Sequence, residues 1–406
     1  MSFLGSVGGV RQAGAKLLRH RLIAATAAAA AAVIVAGCTF AATSTQASGQ
    51  ANLAGDSTAV GSSSTSPAAA TGPLRLLSAS PAGGAKDANG GAPVKLTFSS
   101  ALSTSTPLPT ISPKTTGSWK VSGNTATFTP AAGFQPDTAV TVRVPAAMSG
   151  ASGSAGTLAK ASSFTFTTGS YSTLRLQQLL AQLGYLPLTW TPATPGTGSA
   201  GGTLDDQASA AYDPPAGTFT FQSGYPAELT SQWKPAAGNK LDTGAIRAFE
   251  SDQGLTMDGE AGPEVWSHLL AAAVKDTVNP NGYTYALATQ DSPSETLRVW
   301  HNGKLILNTA ANTGIAGANT QDGTFPVYER LKFQVMKGTN PDGTKYSDPV
   351  YWISYFNGGD AVHYFDRGSY GFYQSLGCVE LPLSPAKFIW PYLTYGTLVT
   401  VTGPVA

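Results

Sequence analysis

The spacing of hydrophobic positions changes from segment to segment along the chain, and each change predicts a different kind of structure. A mostly apolar run from Leu22 to Ala36 follows the basic residues Arg11, Lys16, Arg19 and Arg21. This is the layout of an export signal, and the run is short for a membrane span. From Thr39 to about Gly72 the chain is rich in Ser, Thr, Ala and Gly with nothing periodic, which predicts a flexible tether. Between 73 and 169, apolar and polar residues alternate. VKLTF sets Val94, Leu96 and Phe98 on one face, and TATFTP, AVTVRV and SFTFTT repeat the period of two between Gly, Pro and Asn turns. Strands so spaced predict a β-sandwich, with Trp119 as a core residue.

The period then lengthens. Leu176, Leu179, Leu180 and Leu183 fit one helical face, and Gly184 follows as a stop signal. After a Gly-, Thr- and Pro-rich insertion, Ile246 and Phe249 share a second helix, Leu255 falls in a turn, and Val265 to Leu269 begin a third. From 273 to 403 the alternation returns. LRVW and KLILN flank Asn302-Gly303, a type I′ hairpin signal, and TQDGTFPVYE, DPVYWISYF and GTLVTVTG supply further strands. The expected fold class is therefore multidomain: a β-sandwich, a small α-helical module and a mixed, mainly β domain.

Composition narrows what such a chain can do. Charged residues make up 12% of the 406, well below the usual quarter, so the surface is polar without being ionic. Residues 1 to 37 hold four positive charges and no acidic one, so their removal takes the formal charge from +1 to −3. A basic face for nucleic acid is not visible. The export run ends in Val35-Ala36-Gly37-Cys38, which resembles the bacterial lipobox, in which the cysteine is lipidated. That resemblance implies a signal peptide over 1–37, a lipidated Cys38 and a membrane attachment, with 38–72 as tether. It also leaves Cys378 as a lone thiol in an exported protein, either reactive or deeply buried.

Of the four histidines, His20 goes with the signal, His268 sits on a helix and His301 adjoins a hairpin turn. Only His363 is near Cys378 in sequence, across the loop DRGSYGFYQ. A histidine can take the proton of a thiol and make it a nucleophile, and Gly377 before the cysteine would let the backbone turn sharply and aim N–H groups at one spot. Taken alone, the pair is better read as a small buried cysteine and a satisfied strand histidine. A zinc site from Cys378, His363 and Glu380 is a poor case, with three ligands inside eighteen residues and no fourth His or Cys. No metal or cofactor is expected.

The stretch from His363 through Ser375, Leu376, Gly377, Cys378, Val379 and Glu380 resembles the catalytic motif of the L,D-transpeptidase family, the YkuD-type fold. Asn319 to Phe325, NTQDGTF, also resembles that family's TPxGxF segment, and the similarity covers about 290 to 403. Residues 73–169 resemble bacterial immunoglobulin-like modules. Residues 172–272, with LGY, TGAIRAFESDQGL and DGEAGPEVW, resemble the peptidoglycan-binding type 1 module, with a longer insertion at 191–235. A lipoprotein signal, an Ig-like spacer and a catalytic domain in that order resemble actinobacterial envelope transpeptidases.

The resemblance implies that Cys378 is the nucleophile and His363 its base, oriented by the carbonyl of Tyr364. The N–H groups of Gly377 and Cys378 would hold the oxyanion, and Ser375 would shape the turn. Leu376 stands where the family usually has histidine, and Glu380 where it has Asn or Arg. Glu380 is expected to raise the thiol pKa and to meet a substrate ammonium; Tyr355 and Leu376 complete the expected substrate contacts. The implied partners are peptidoglycan stem peptides, joined 3→3 through a thioester at the outer face of the plasma membrane. The alternatives are an L,D-carboxypeptidase using water and an inactive peptidoglycan-binding lipoprotein.

Overall fold

The computed structural model describes residues 72–151, 156–291 and 294–404. The expected signal, the lipidation site Cys38 and the tether up to Thr71 lie outside the described residues.

The first module contains β1 (Leu76–Ser80), β2 (Val94–Phe98), β3 (Thr110–Ser112), β4 (Gly117–Ser122), β5 (Thr125–Pro130), β6 (Ala139–Val144) and β7 (Ser162–Thr167). Their sheets run β1-β2-β5-β4 and β3-β6-β7. The period of two buries Val94, Leu96 and Phe98 completely, together with Val140 and Val142 from the second sheet. Trp119 packs from the edge of this core, tilted on Phe128 at 5.4 Å.

The helical segment contains α1 (Thr173–Gln182), β8 (Leu188–Pro192), α2 (Leu204–Tyr212), β9 (Gly217–Phe221), α3 (Ala227–Thr230), α4 (Lys240–Gln253) and α5 (Pro263–Lys275). The insertion is thus ordered as α2 between two paired strands, β8 and β9. Helix α1 starts at Ser172, whose hydroxyl accepts from Leu174 N–H, and α4 starts in a capping box of Asn239 and Asp242. Left-handed Gly254 ends α4. Glu250, fully buried on α4, accepts from Gly259 N–H at 2.9 Å and so pins the DGEAGP turn. Burial raises its carboxyl to about 7. Helix α5 runs past the domain boundary expected at 272.

The last segment is mainly β: β10 (Thr284–Thr289), β11 (Thr296–His301), β12 (Lys304–Ala310), β13 (Thr313–Gly314), β14 (Gly323–Pro326), β15 (Glu329–Thr339), β16 (Lys345–Asn357), β17 (Asp360–Tyr364), β18 (Tyr373–Ser375), β19 (Val379–Leu381), α6 (Leu383–Ile389) and β20 (Leu398–Thr402). One sheet runs β12-β11-β10-β20-β14 and another β15-β16-β17-β19, while β13 pairs with β18. Asn302 and Gly303 both take positive φ between β11 and β12, as a type I′ turn requires. The stretch WISYFNGGDAVHYF that leads to His363 forms two strands, β16 and β17, reversed at Gly358-Gly359.

The helices and this β segment share one core. Leu241, Ile246 and Phe249 belong to the same buried cluster as Tyr283, Tyr285, Trp300 and Leu398. The close approach runs through Gly244 of α4, where a Cβ would stand 2.6 Å from Gly396 O and 2.9 Å from Leu398 Cδ2. In an exposed helix Gly→Ala stabilises by about 1 kcal/mol. Gly244→Ala is expected instead to destabilise by about 1–3 kcal/mol, since the methyl overpacks the junction. Denaturant unfolding measures this, and an unchanged or raised midpoint would show that helices and sheet are not tightly docked.

Candidate active site

The site is made where β17 and β19 run side by side in parallel. Val362 pairs with Val379, His363 with Glu380 and Tyr364 with Leu381, so Cys378, one residue before β19, arrives beside the start of β17. Asn312 fixes β19 from its other side through an antiparallel bridge, with Asn312 N–H donating to Glu380 O at 3.0 Å and Glu380 N–H to Asn312 O at 2.9 Å.

His363 is 3% exposed. Its Nδ1 lies 3.0 Å from the Tyr364 carbonyl, and because that oxygen can only accept, Nδ1 carries the proton and Nε2 is left as the acceptor. Burial lowers the imidazole below its ordinary range, against the opposing effect of the Tyr364 carbonyl. The neutral ring is therefore the resting form at neutral pH.

Cys378 is half-buried, with Sγ 3.7 Å from Gly359 O. Its thiol is pushed up to about 12, first by burial, with the carboxylates of Asp360 and Glu380 adding and the Ala361 N–H opposing. The thiol is neutral at rest, so the histidine does not hold a preformed thiolate.

The turn before the cysteine is set by Ser375, which is fully buried. Its hydroxyl donates to Cys378 O at 2.6 Å and accepts from Gly377 N–H at 3.2 Å. Gly377 has φ +111°, which favours glycine, and a Cβ there would displace the Asp360 carboxylate from its Oδ1 position. Of the two expected oxyanion donors, the Gly377 N–H is turned back onto Ser375. The Cys378 N–H makes no hydrogen bond among the described residues.

Glu380, expected to meet a substrate ammonium, is instead engaged within the protein. Arg367 binds it through two donors, Nε to Oε2 at 2.8 Å and Nη2 to Oε1 at 2.7 Å, and Asn312 Nδ2 adds a contact at 3.3 Å. This is the one ion pair among the described residues. The same guanidinium donates to Gln374 O and lies over the Phe365 ring, so it ties both ends of the loop between His363 and Cys378 to β19. Glu380 lines the cleft but is not a free anion.

His363, Leu376, Cys378, Glu380 and Asp360 open into a cleft of about 550 Å³, roofed by Met336, Tyr346 and Asp348 of the β15–β16 hairpin. Tyr355 stands behind the thiol, with its hydroxyl donating to Gln334 at 2.6 Å. Arg367, Asn312 and Asp360 were not among the residues expected from sequence. For Arg367 the signal was present: a lone arginine in the loop before an acidic residue that replaces the family's Asn or Arg. Among the described residues no cluster of His, Cys, Asp and Glu could hold a metal ion.

The family model for the L,D-transpeptidase catalytic domain matches residues 284–401, and that for a bacterial Ig-like domain matches residues 70–168. Similar solved structures include an L,D-transpeptidase from Mycobacterium smegmatis, 14% identical over 82% of this chain and 100% of that one, TM-score 0.27. Another is L,D-transpeptidase 3 from Mycobacterium tuberculosis with a faropenem-derived adduct, 13% identical over 81% and 98%, TM-score 0.27. The catalytic domain of the E. faecium L,D-transpeptidase is 28% identical over 29% and 96%, TM-score 0.27. No curated protein matches the chain. Residues 284–401 are thus an L,D-transpeptidase catalytic domain of the YkuD family, carried in one chain with a bacterial Ig-like domain.

Proposed function

We propose that this chain is a cysteine-dependent L,D-transpeptidase that forms 3→3 cross-links in peptidoglycan. The observation that carries the reading is the register of β17 on β19, which brings a neutral, carbonyl-oriented His363 and the thiol of Cys378 to one cleft. Nε2 of His363 takes the thiol proton as Sγ attacks the carbonyl of the third stem residue. The C–N bond breaks, His363 returns the proton to the departing D-alanine amine, and the acyl group stays on sulfur as a thioester. Cys378 N–H supplies a donor to the oxyanion. An amine from a second stem then releases the thioester.

The wider placement belongs to the same proposal. Residues 1–37 act as a lipoprotein signal, Cys38 carries the lipid, and 38–72 tethers the folded part at the outer face of the plasma membrane. Residues 73–169 serve as spacer, and the helices of 172–272 dock the enzyme on peptidoglycan. The polar surface and the lone thiol of an exported chain support this reading.

Incubating residues 73–406 with a carbapenem, a strained acylating agent, is expected to add one inhibitor mass, mapped to QSLGCVELP and missing in Cys378→Ala. A folded sample with no adduct would favour the binding-lipoprotein alternative. The adduct-forming rate is expected to fall with acid only below the ordinary imidazole range near 6.5, because burial lowers the His363 pKa and the base stays neutral to lower pH. Stopped-flow acylation across pH 4–8 checks this, and a midpoint above 6.5 contradicts it. Arg367→Met leaves Glu380 buried without its cation and is expected to cost about 3 kcal/mol in unfolding free energy and to slow acylation. Retention of both would show that the ion pair does not brace the loop.

A further inference from the structure

Three carboxylates line the active-site cleft, Asp348, Asp360 and Glu380, against one guanidinium, Arg367, which Glu380 already holds. With His363 neutral, the cleft carries a net charge of −2 from these groups. Asp360 is the carboxylate that stands beside the thiol. It opens β17 after the Gly358-Gly359 reversal, and its Oδ1 fills the space that a side chain on residue 377 would need. Its bonds within the protein are weak: Oδ2 accepts from the Gln321 N–H and from Asn357 Nδ2, each at 3.4 Å, and Oδ1 has no hydrogen-bond donor among the described residues. The base of the acyl-transfer reading opens into the same place. His363 is 97% buried and lines the cleft, and its Nε2 has no partner among the described residues.

We propose that Asp360 is a specificity-determining residue that holds the ammonium of the acceptor amine beside the thioester, so that the acyl group passes to a primary amine in preference to water. The proposal rests on the acyl-transfer reading above. Of the two acceptors, the amine is the one that is cationic at neutral pH, and a half-buried carboxylate without a cation gains most from it. In the transfer, the Asp360-bound ammonium loses one proton to solvent, and its nitrogen attacks the thioester carbonyl. The N–C bond forms and the C–S bond breaks. The second nitrogen proton passes through His363 Nε2 to sulfur, which regenerates the neutral pair. Water has no charge for Asp360 to hold. Asp360 also has a cost for the first step, since its charge disfavours the developing thiolate.

The test uses the protein with a tetrapeptide donor stem and a second stem bearing a free side-chain amine, with cross-linked and hydrolysed products counted by mass spectrometry. Carbapenem acylation, which needs no acceptor, is followed separately. Asp360→Asn is expected to lower the ratio of cross-linking to hydrolysis by roughly tenfold or more. It is expected to raise the half-saturating amine concentration and to speed carbapenem acylation. An unchanged ratio overturns the proposal, and so does an equal loss of acylation and amine capture in a folded variant, which marks a structural residue. In the unaltered protein the ratio is expected to fall as ionic strength rises, because salt screens the ammonium; a salt-independent ratio overturns the proposal without any variant. Absence of acylation in the unaltered protein overturns the transpeptidase reading itself, a result distinct from the loss of amine preference alone.

Discussion

Three residues of parallel pairing, Val362–His363–Tyr364 against Val379–Glu380–Leu381, decide where everything chemical in this protein stands. The side-chain period of two means that a shift by one residue would send His363 to the opposite face and Cys378 with the wrong neighbours. So short a pairing is weak by itself, and the structure supports it from outside. Asn312 bonds β19 on its free edge, and Arg367 reaches across from the connecting loop to Glu380. Buried Val362, Val379 and Leu381 belong to the core beneath. The ion pair is therefore read as a register device, a role for which buried charge is well suited even where its net stabilisation is small.

The same arrangement sets an electrostatic conflict at Cys378. Burial and two carboxylates oppose a thiolate, while burial also keeps the nearby imidazole of His363 neutral. A thiol held neutral in this way is less open to oxidation than a thiolate. Arg367 quenches one carboxylate and leaves the other available.

Much of the fold was legible because it rests on local pattern. Alternation at Val94, Leu96 and Phe98, the Asn302-Gly303 turn and the helical spacing of Leu176, Leu179 and Leu180 each became the expected element. What was not legible depends on distant partners. Nothing near Gly244 tells that its missing methyl faces Gly396, or that the helices and sheet close over one core. Arg175, fully buried on α1, reads as a surface position until Gln207 and Gly198 of the insertion are seen to receive it. At the site, the order of the motif put His363, Ser375, Gly377 and Cys378 forward as candidates, while the engagement of Glu380 by Arg367 and of Gly377 N–H by Ser375 required the folded loop.

The group that aims His363 is the main-chain carbonyl of Tyr364. A side-chain orienter, such as an aspartate, is one codon away from loss. A backbone oxygen is present whatever residue is encoded at 364, so no single base change can delete it, and only a distortion of β17 can move it. The orienting function is thereby inherited with the strand itself. Drift in the surrounding sequence, including the replacement of the family's second histidine by Leu376, can proceed without touching the atom that determines which imidazole nitrogen is free to work.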